Sequence, residues 1–176
     1  TIYYHYSDSD IAGLNESSLR VYYYNETSTR WEQLEGGVNR TGKYVWGNTT
    51  HFSLFAAFAE PKPDLTVESI STPSSMTAGN TYSIGVAVAN LGGSASNIRV
   101  TLKADGAVVG NQTIASLNAG ETKTVTFSWT PSAGSHTLTA IVDPDNNIDE
   151  LNEGNNTKSI AVNVQSPSTS GGVSGG

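Results

Sequence analysis

The stretch YSIGVAVANLGGSASNIRVTLKADGAVVG, residues 82–110, decides the fold. Ile84, Val86 and Val88 are apolar at every second position, and so are Ile98, Val100 and Leu102. Successive side chains of a strand point to opposite faces, so a period of two marks a strand buried on one side. Leu91-Gly92-Gly93 separates the two runs as a turn signal. Ala104-Asp105-Gly106 closes the second, and its Asp-Gly pair suits a tight hairpin.

The same period continues on both sides. Leu65 and Val67 alternate upstream; Val125, Phe127 and Trp129, then Leu138, Ala140 and Val142, then Ile160, Val162 and Val164 alternate downstream. Turn residues at Ala78-Gly79-Asn80, Asn118-Ala119-Gly120-Glu121 and Pro131-Ser132-Ala133-Gly134 divide them. About seven short strands in about 100 residues, each apolar on one face, predict an antiparallel β-sandwich over residues 65–165.

Residues 1–60 read as a second, partial β-sandwich module. Ile2, Tyr4 and Tyr6 alternate, as do Leu19, Val21 and Tyr23; Tyr44 pairs with Trp46; Phe52, Leu54, Ala56 and Phe58 suggest one more buried face. Roughly four or five strands are expected here, few for a self-sufficient sandwich. An open sheet edge would then be completed by upstream strands or by another molecule. Asp10–Ser18 suits a helical turn. Pro61 and Pro63 mark a linker over residues 61–64, because proline cannot continue a ladder. Residues 166–176 form a Gly/Ser linker or tail with nothing to build a core.

Composition excludes several classes of function. The net charge is −7 and no Lys/Arg cluster occurs, which argues against nucleic acid and anionic membrane surfaces as partners. No apolar run approaches the roughly 20 residues of a membrane helix. Cysteine is absent, removing disulfides, zinc thiolates and thiol nucleophiles. His5, His51 and His136 stand apart, with no metal-binding spacing. Gly134-Ser135-His136 lacks the nucleophile-elbow pattern, and adjacent strand residues face opposite ways. No catalytic residues are assigned.

Three features remain as candidate sites. Asn15, Asn25, Asn39, Asn48 and Asn111 lie in Asn-X-Ser/Thr sequons. Every asparagine before residue 60 does so, which points to an exported, glycosylated surface. Asn155 also lies in a sequon but reads as a hydrogen-bonding residue. Tyr3, Tyr22 and Tyr24 sit among tyrosine-rich strands where some rings must face outward, as interface residues or sugar-stacking platforms. Finally, Asp143–Asn156 carries Asp143, Asp145, Asp149, Glu150 and Glu153 with no Lys or Arg. The five could supply oxygen ligands to calcium, but an EF-hand is excluded: counted from Asp143, Ile148 stands where that loop needs glycine and Gly154 where it needs glutamate. A metal-free clasp, in which Asn and Asp side chains satisfy loop backbone groups, is the second reading; a plain solvated loop is the third. Ile148 and Leu151 are expected to pin the loop to the end of the sandwich.

Residues 64–164 resemble the CARDB family, the cell adhesion related domain found in bacteria. The resemblance rests on Pro63-Asp64-Leu65-Thr66-Val67, Val86–Gly92, Leu117–Glu121, Val125–Trp129 and the acidic stretch from Val142 to Asn156. It implies an Ig-like seven-stranded sandwich in multidomain surface proteins and does not imply an enzyme. Residues 1–59 are similar to the C-terminal part of another β-rich module of archaeal and bacterial surface proteins, through Ser18–Tyr23, Trp31–Leu34 and His51–Ala56. The expectation is therefore a non-enzymatic structural segment of an extracellular, archaeal-type surface protein: a stalk, sheath or filament subunit that contacts copies of itself or neighbouring domains. The alternative is an adhesion or glycan-binding module. No cofactor is expected except calcium at the acidic loop.

Overall fold

A computed structural model of the chain describes residues 1–168, so the end of the Gly/Ser tail lies outside the described residues. The chain forms two compact units that divide between Lys62 and Pro63. The expected linker does not stand free. Pro61 bridges to Leu14 in the first unit, and the Pro63 carbonyl accepts the Leu151 N–H in the second.

The second unit is the Ig-like sandwich that its periodicity predicts. Its strands are β7 (Leu65–Ser71), β8 (Tyr82–Asn90), β9 (Ala95–Ala104), β10 (Ala107–Leu117), β11 (Thr122–Trp129), β12 (Gly134–Val142) and β13 (Thr157–Val164). They build one sheet in the order β11-β8-β7 and another in the order β10-β9-β12-β13. Asp105 and Gly106 turn the β9–β10 hairpin with φ of +50° and +85°, two left-handed residues in succession. That suits a two-residue loop matching the twist of its strands. The alternating apolar residues meet between the sheets: Leu65, Ile84, Val86, Val88, Ile98, Val100, Leu102, Leu138 and Val142 are fully buried.

The first unit holds more strands than its sequence suggests. β1 (Ile2–His5), β5 (Tyr44–Gly47) and β4 (Gly36–Asn39) form one sheet, and β3 (Arg30–Gln33), β2 (Arg20–Asn25) and β6 (Phe55–Phe58) the other. Six strands thus replace the expected four or five. Gly36 and Gly37 hide β4 from a pattern search, because glycine has no side chain to alternate. A short 3₁₀ turn, Glu16–Ser18, occupies part of the expected helical turn, capped by Asn15. The core is small: Leu19, Val21, Leu34 and Val45 are buried, with Tyr4, Tyr6, Tyr23 and Phe55 packed against them.

One face is reversed. Phe52, Leu54 and Phe58 are exposed, whereas Phe55 packs on the core. FSLFAAF is apolar at both parities, so alternation alone cannot choose the inner side.

Candidate functional site

The acidic loop joins β12 to β13 and folds back over the start of β7. Its five carboxylates do not converge into one coordination sphere; no group of three or more acidic or histidine side chains suited to a metal occurs among the described residues. Each instead has a local task. Asp143 is buried at φ +43°, and its carboxylate accepts the N–H groups of Asn147 (3.2 Å) and Ile148 (2.8 Å). Asp145 pairs with Arg99 on β9. Asp149, in the same loop, has an interaction of its own.

Glu150 is the centre of the arrangement. It is buried, and its two oxygens accept the Leu65 N–H (2.5 Å) and the Asn156 amide (2.9 Å). Glu153 accepts the Glu150 N–H at 3.1 Å. Asn155 donates to Asp64 (2.8 Å), and its carbonyl accepts the Thr66 hydroxyl (3.1 Å). These bonds tie the beginning of β7 to the beginning of β13, which is the geometry of a clasp. Ile148 packs against the core as expected, but the Leu151 side chain is exposed and only its backbone holds Pro63. Burial pushes the Glu150 carboxyl up to about 7; its two hydrogen bonds oppose this, and the charges of Glu153 and Asp143 add to it. The side-chain oxygens of Asn155 and Asn156 are buried without a partner.

A neighbouring staple escapes a sequence reading. Asn90 is fully buried; its amide donates to the carbonyls of Gly93 (2.6 Å) and Leu117 (3.0 Å) and accepts from Asp64 (3.2 Å) and Gly92 (3.1 Å). The only local signal was an asparagine just before Leu91-Gly92-Gly93.

The histidines also look different in space. His136 is not alone: its Nδ1 lies 2.6 Å from Asp105, and Ser132 Oγ lies 3.5 Å from Nε2. A Ser–His–Asp set therefore borders an open cleft of about 520 Å³. It is not a nucleophilic triad. Nε2 is 3.0 Å from the Ser132 carbonyl, which can only accept, so this contact favours a proton on that nitrogen. Nδ1 faces the Asp105 carboxylate, so both ring nitrogens stand against acceptors and neither is aimed to take a proton from the serine. The Asp105 carboxylate, helped by the Ser132 carbonyl, raises the His136 pKa accordingly. His51 lies in the exposed loop before β6, its ring edge to face with Tyr23 at 4.9 Å between centroids.

The candidate interface tyrosines occupy two surfaces. Tyr3 is 58% exposed on the outer face of β1-β5-β4, beside Tyr44 (5.6 Å between rings). Tyr22 and Tyr24 lie on the outer face of β3-β2-β6, where Tyr24 meets Trp31 (5.5 Å), Trp31 meets Phe58 (5.3 Å) and Phe58 meets Tyr22 (5.3 Å). Trp31 was not offered as an interface residue by sequence, and Phe58 was expected on a buried face, because their outward parity shows only once the register is known.

Among the sequons, Asn48 and Asn111 are exposed, and Asn15, Asn25 and Asn39 half-buried. Asn15 and Asn25 each accept the backbone N–H two residues on, that of Ser17 or Thr27. Asn155 is committed to Asp64. No helix among the described residues is long and apolar enough to cross a membrane.

Comparison with known proteins agrees with this geometry. The CARDB domain of a Pyrococcus furiosus protein, solved in complex with di-metal ions, is 37% identical, with a TM-score of 0.56, over 60% of this chain and 96% of that one. A domain from a cell surface protein of Methanosarcina acetivorans is 35% identical, with a TM-score of 0.53, over 58% of this chain and 92% of that one. An amylopullulanase from Thermoanaerobacterium thermosulfurigenes is 45% identical over 44 residues, which are 25% of this chain and 2% of that enzyme. The chain thus spans a very small part of that curated relative. The family model for CARDB, a domain family of cell-surface proteins, matches residues 62–160, and the chain belongs to the CARDB family.

Proposed function

We propose that the chain is a non-catalytic spacer in an extracellular surface protein, and that its CARDB sandwich carries load from the residues before it to those after it. The carrying observation is the path of the chain through the second unit. It enters at the clasp, beside Pro63 and Leu65, and β7 and β13 both start there. It leaves at the far end, where Gln165 bridges Thr77 in parallel and exchanges backbone bonds with Met76 and Ala78. A pull on the two ends therefore loads β7 and β13 in shear, across many hydrogen bonds at once, rather than peeling them singly. The placing of both His136 ring nitrogens against acceptors supports the non-catalytic reading, and the sequons and the surface-protein relative support the extracellular one.

We further propose that the clasp takes calcium. The Pyrococcus furiosus relative is described with di-metal ions. In this chain the place for a cation is the Glu150–Glu153 pair. A half-turn of the Asn156 amide would aim its unpartnered oxygen where its nitrogen now faces the two carboxylates. A melting temperature that falls with EDTA and recovers with calcium supports this; an unchanged one leaves a clasp of hydrogen bonds alone. The spacer reading is tested by imaging the native particle or cell surface. A CARDB sandwich standing in line along an elongated projection is expected; one packed against an enzyme's active-site cleft contradicts it.

A further inference from the structure

The outer face of the β3-β2-β6 sheet carries more than stray aromatics. Tyr24, Trp31, Phe58 and Tyr22 form a continuous row in which each ring meets the next edge to face, with centroids 5.3–5.5 Å apart. Trp31 and Phe58 are about two-fifths exposed. Keeping this much aromatic surface wet is unfavourable, and exposed aromatic rows mark contact sites.

One end of the row opens into a cleft of about 370 Å³, whose floor is Tyr22 and Phe58 and whose rim is Ser18, Arg20, Gln33 and Glu60. The rim is ordered rather than loose. Arg20 Nη1 donates to the carbonyls of Ser17 (3.0 Å) and Leu19 (2.8 Å), which fixes the guanidinium plane. Gln33 accepts from the Tyr22 hydroxyl (3.4 Å), and the Glu60 backbone N–H donates to the Ser18 hydroxyl (2.8 Å).

We infer that this face binds a neutral polysaccharide, with sugar rings packed against the exposed parts of Trp31 and Phe58 and hydroxyls bonded at the Arg20–Gln33–Glu60 rim. The ligand must offer an apolar face to the rings and vicinal donors and acceptors to planar polar groups, as a pyranose does. Arg20 and Glu60 cancel in charge, so the rim favours neither an anion nor a cation. The net charge of −7 disfavours anionic glycans further. The row is several rings long, which suits a chain of sugars better than a single one. This inference is independent of the load-bearing role of the second unit, since every residue in it belongs to the first.

Affinity electrophoresis tests it, with the whole chain run through native gels containing a soluble β-glucan, an α-glucan or a mannan, each against a sulfated polysaccharide. Retardation by at least one neutral polymer is expected. Trp31→Ala and Phe58→Ala should each weaken it roughly tenfold or more, as loss of a central aromatic anchor does. Arg20→Ala and Gln33→Ala, which leave the aromatic row in place, should also weaken it, whereas Tyr3→Ala on the opposite sheet should not. Circular dichroism of each variant separates loss of binding from loss of fold. Retardation by none of the neutral polymers, or retardation indifferent to Trp31, Phe58, Arg20 and Gln33, overturns the inference. So does a dimer in sedimentation equilibrium that disappears in Phe58→Ala, because the face would then belong to a second copy.

Discussion

Glu150 holds a proton more tightly in the folded chain than in the unfolded one, because burial lifts its carboxyl from 4.5 to about 7. Its stabilising effect is therefore complete below about pH 4.5 and lost as pH rises through 7. His136 acts in the same direction, since its raised value makes it stabilising below 6.5 and less so above. Asp105 and Glu121 act oppositely at the acid end: their lowered values stabilise above the ordinary carboxylate range and fail as pH falls through them. The second unit should therefore melt at a higher temperature at pH 5 than at pH 8, and Glu150→Gln should flatten that slope. Calorimetry across this range checks both; a melting temperature that rises from pH 5 to 8 contradicts them. Site-resolved mass spectrometry of native protein should find glycans among Asn15, Asn25, Asn39, Asn48 and Asn111, and none on Asn155, which is held by Asp64. At this scale the sequence shows which residues are polar and crowded. It does not show that Glu150 takes the N–H of Leu65, 85 residues upstream, because no local pattern encodes a contact of that range.

Six strands of the second unit are legible element by element, because each is apolar on one parity and bounded by a turn; β10 is not, because its register shifts between Val108 and Gly110 and its buried Ile114 and Leu117 are three residues apart. The first unit is less so, for a physical reason: its outer faces carry Tyr, Trp and Phe, so both parities look buried. Gly36 shows what β4 requires. A Cβ there would stand 2.0 Å from the Trp46 carbonyl oxygen on β5 and 2.8 Å from Gly47 Cα, contacts that neither backbone can relieve. Gly36→Ala should cost about 3 kcal/mol, the upper end of what forced overpacking costs, and destabilise the small first unit. The β7–β13 resonances should be unaffected in a two-dimensional NMR spectrum. In the second unit, Leu102→Ala empties a fully buried site on β9 and should cost about 2–5 kcal/mol by chemical denaturation.

For the molecule as a whole, composition and periodicity carry the class, an acidic, cysteine-free, all-β chain of two units, but not the direction in which the second unit is threaded. That direction follows from the pairing of Gln165 with Thr77 and from the clasp at the opposite end, both long-range. It makes the spacer role a mechanical statement. The direct measurement is single-molecule pulling of the intact chain between its two ends, comparing the wild type with Glu150→Ala and Asn156→Ala. A load path through the clasp predicts that the second unit gives way in one cooperative event, apart from that of the first unit, with a contour gain of roughly 30 nm for about a hundred residues released together. Each variant should lower the unfolding force. A second unit that gives way gradually, or variants that unfold at the wild-type force, would contradict the spacer role.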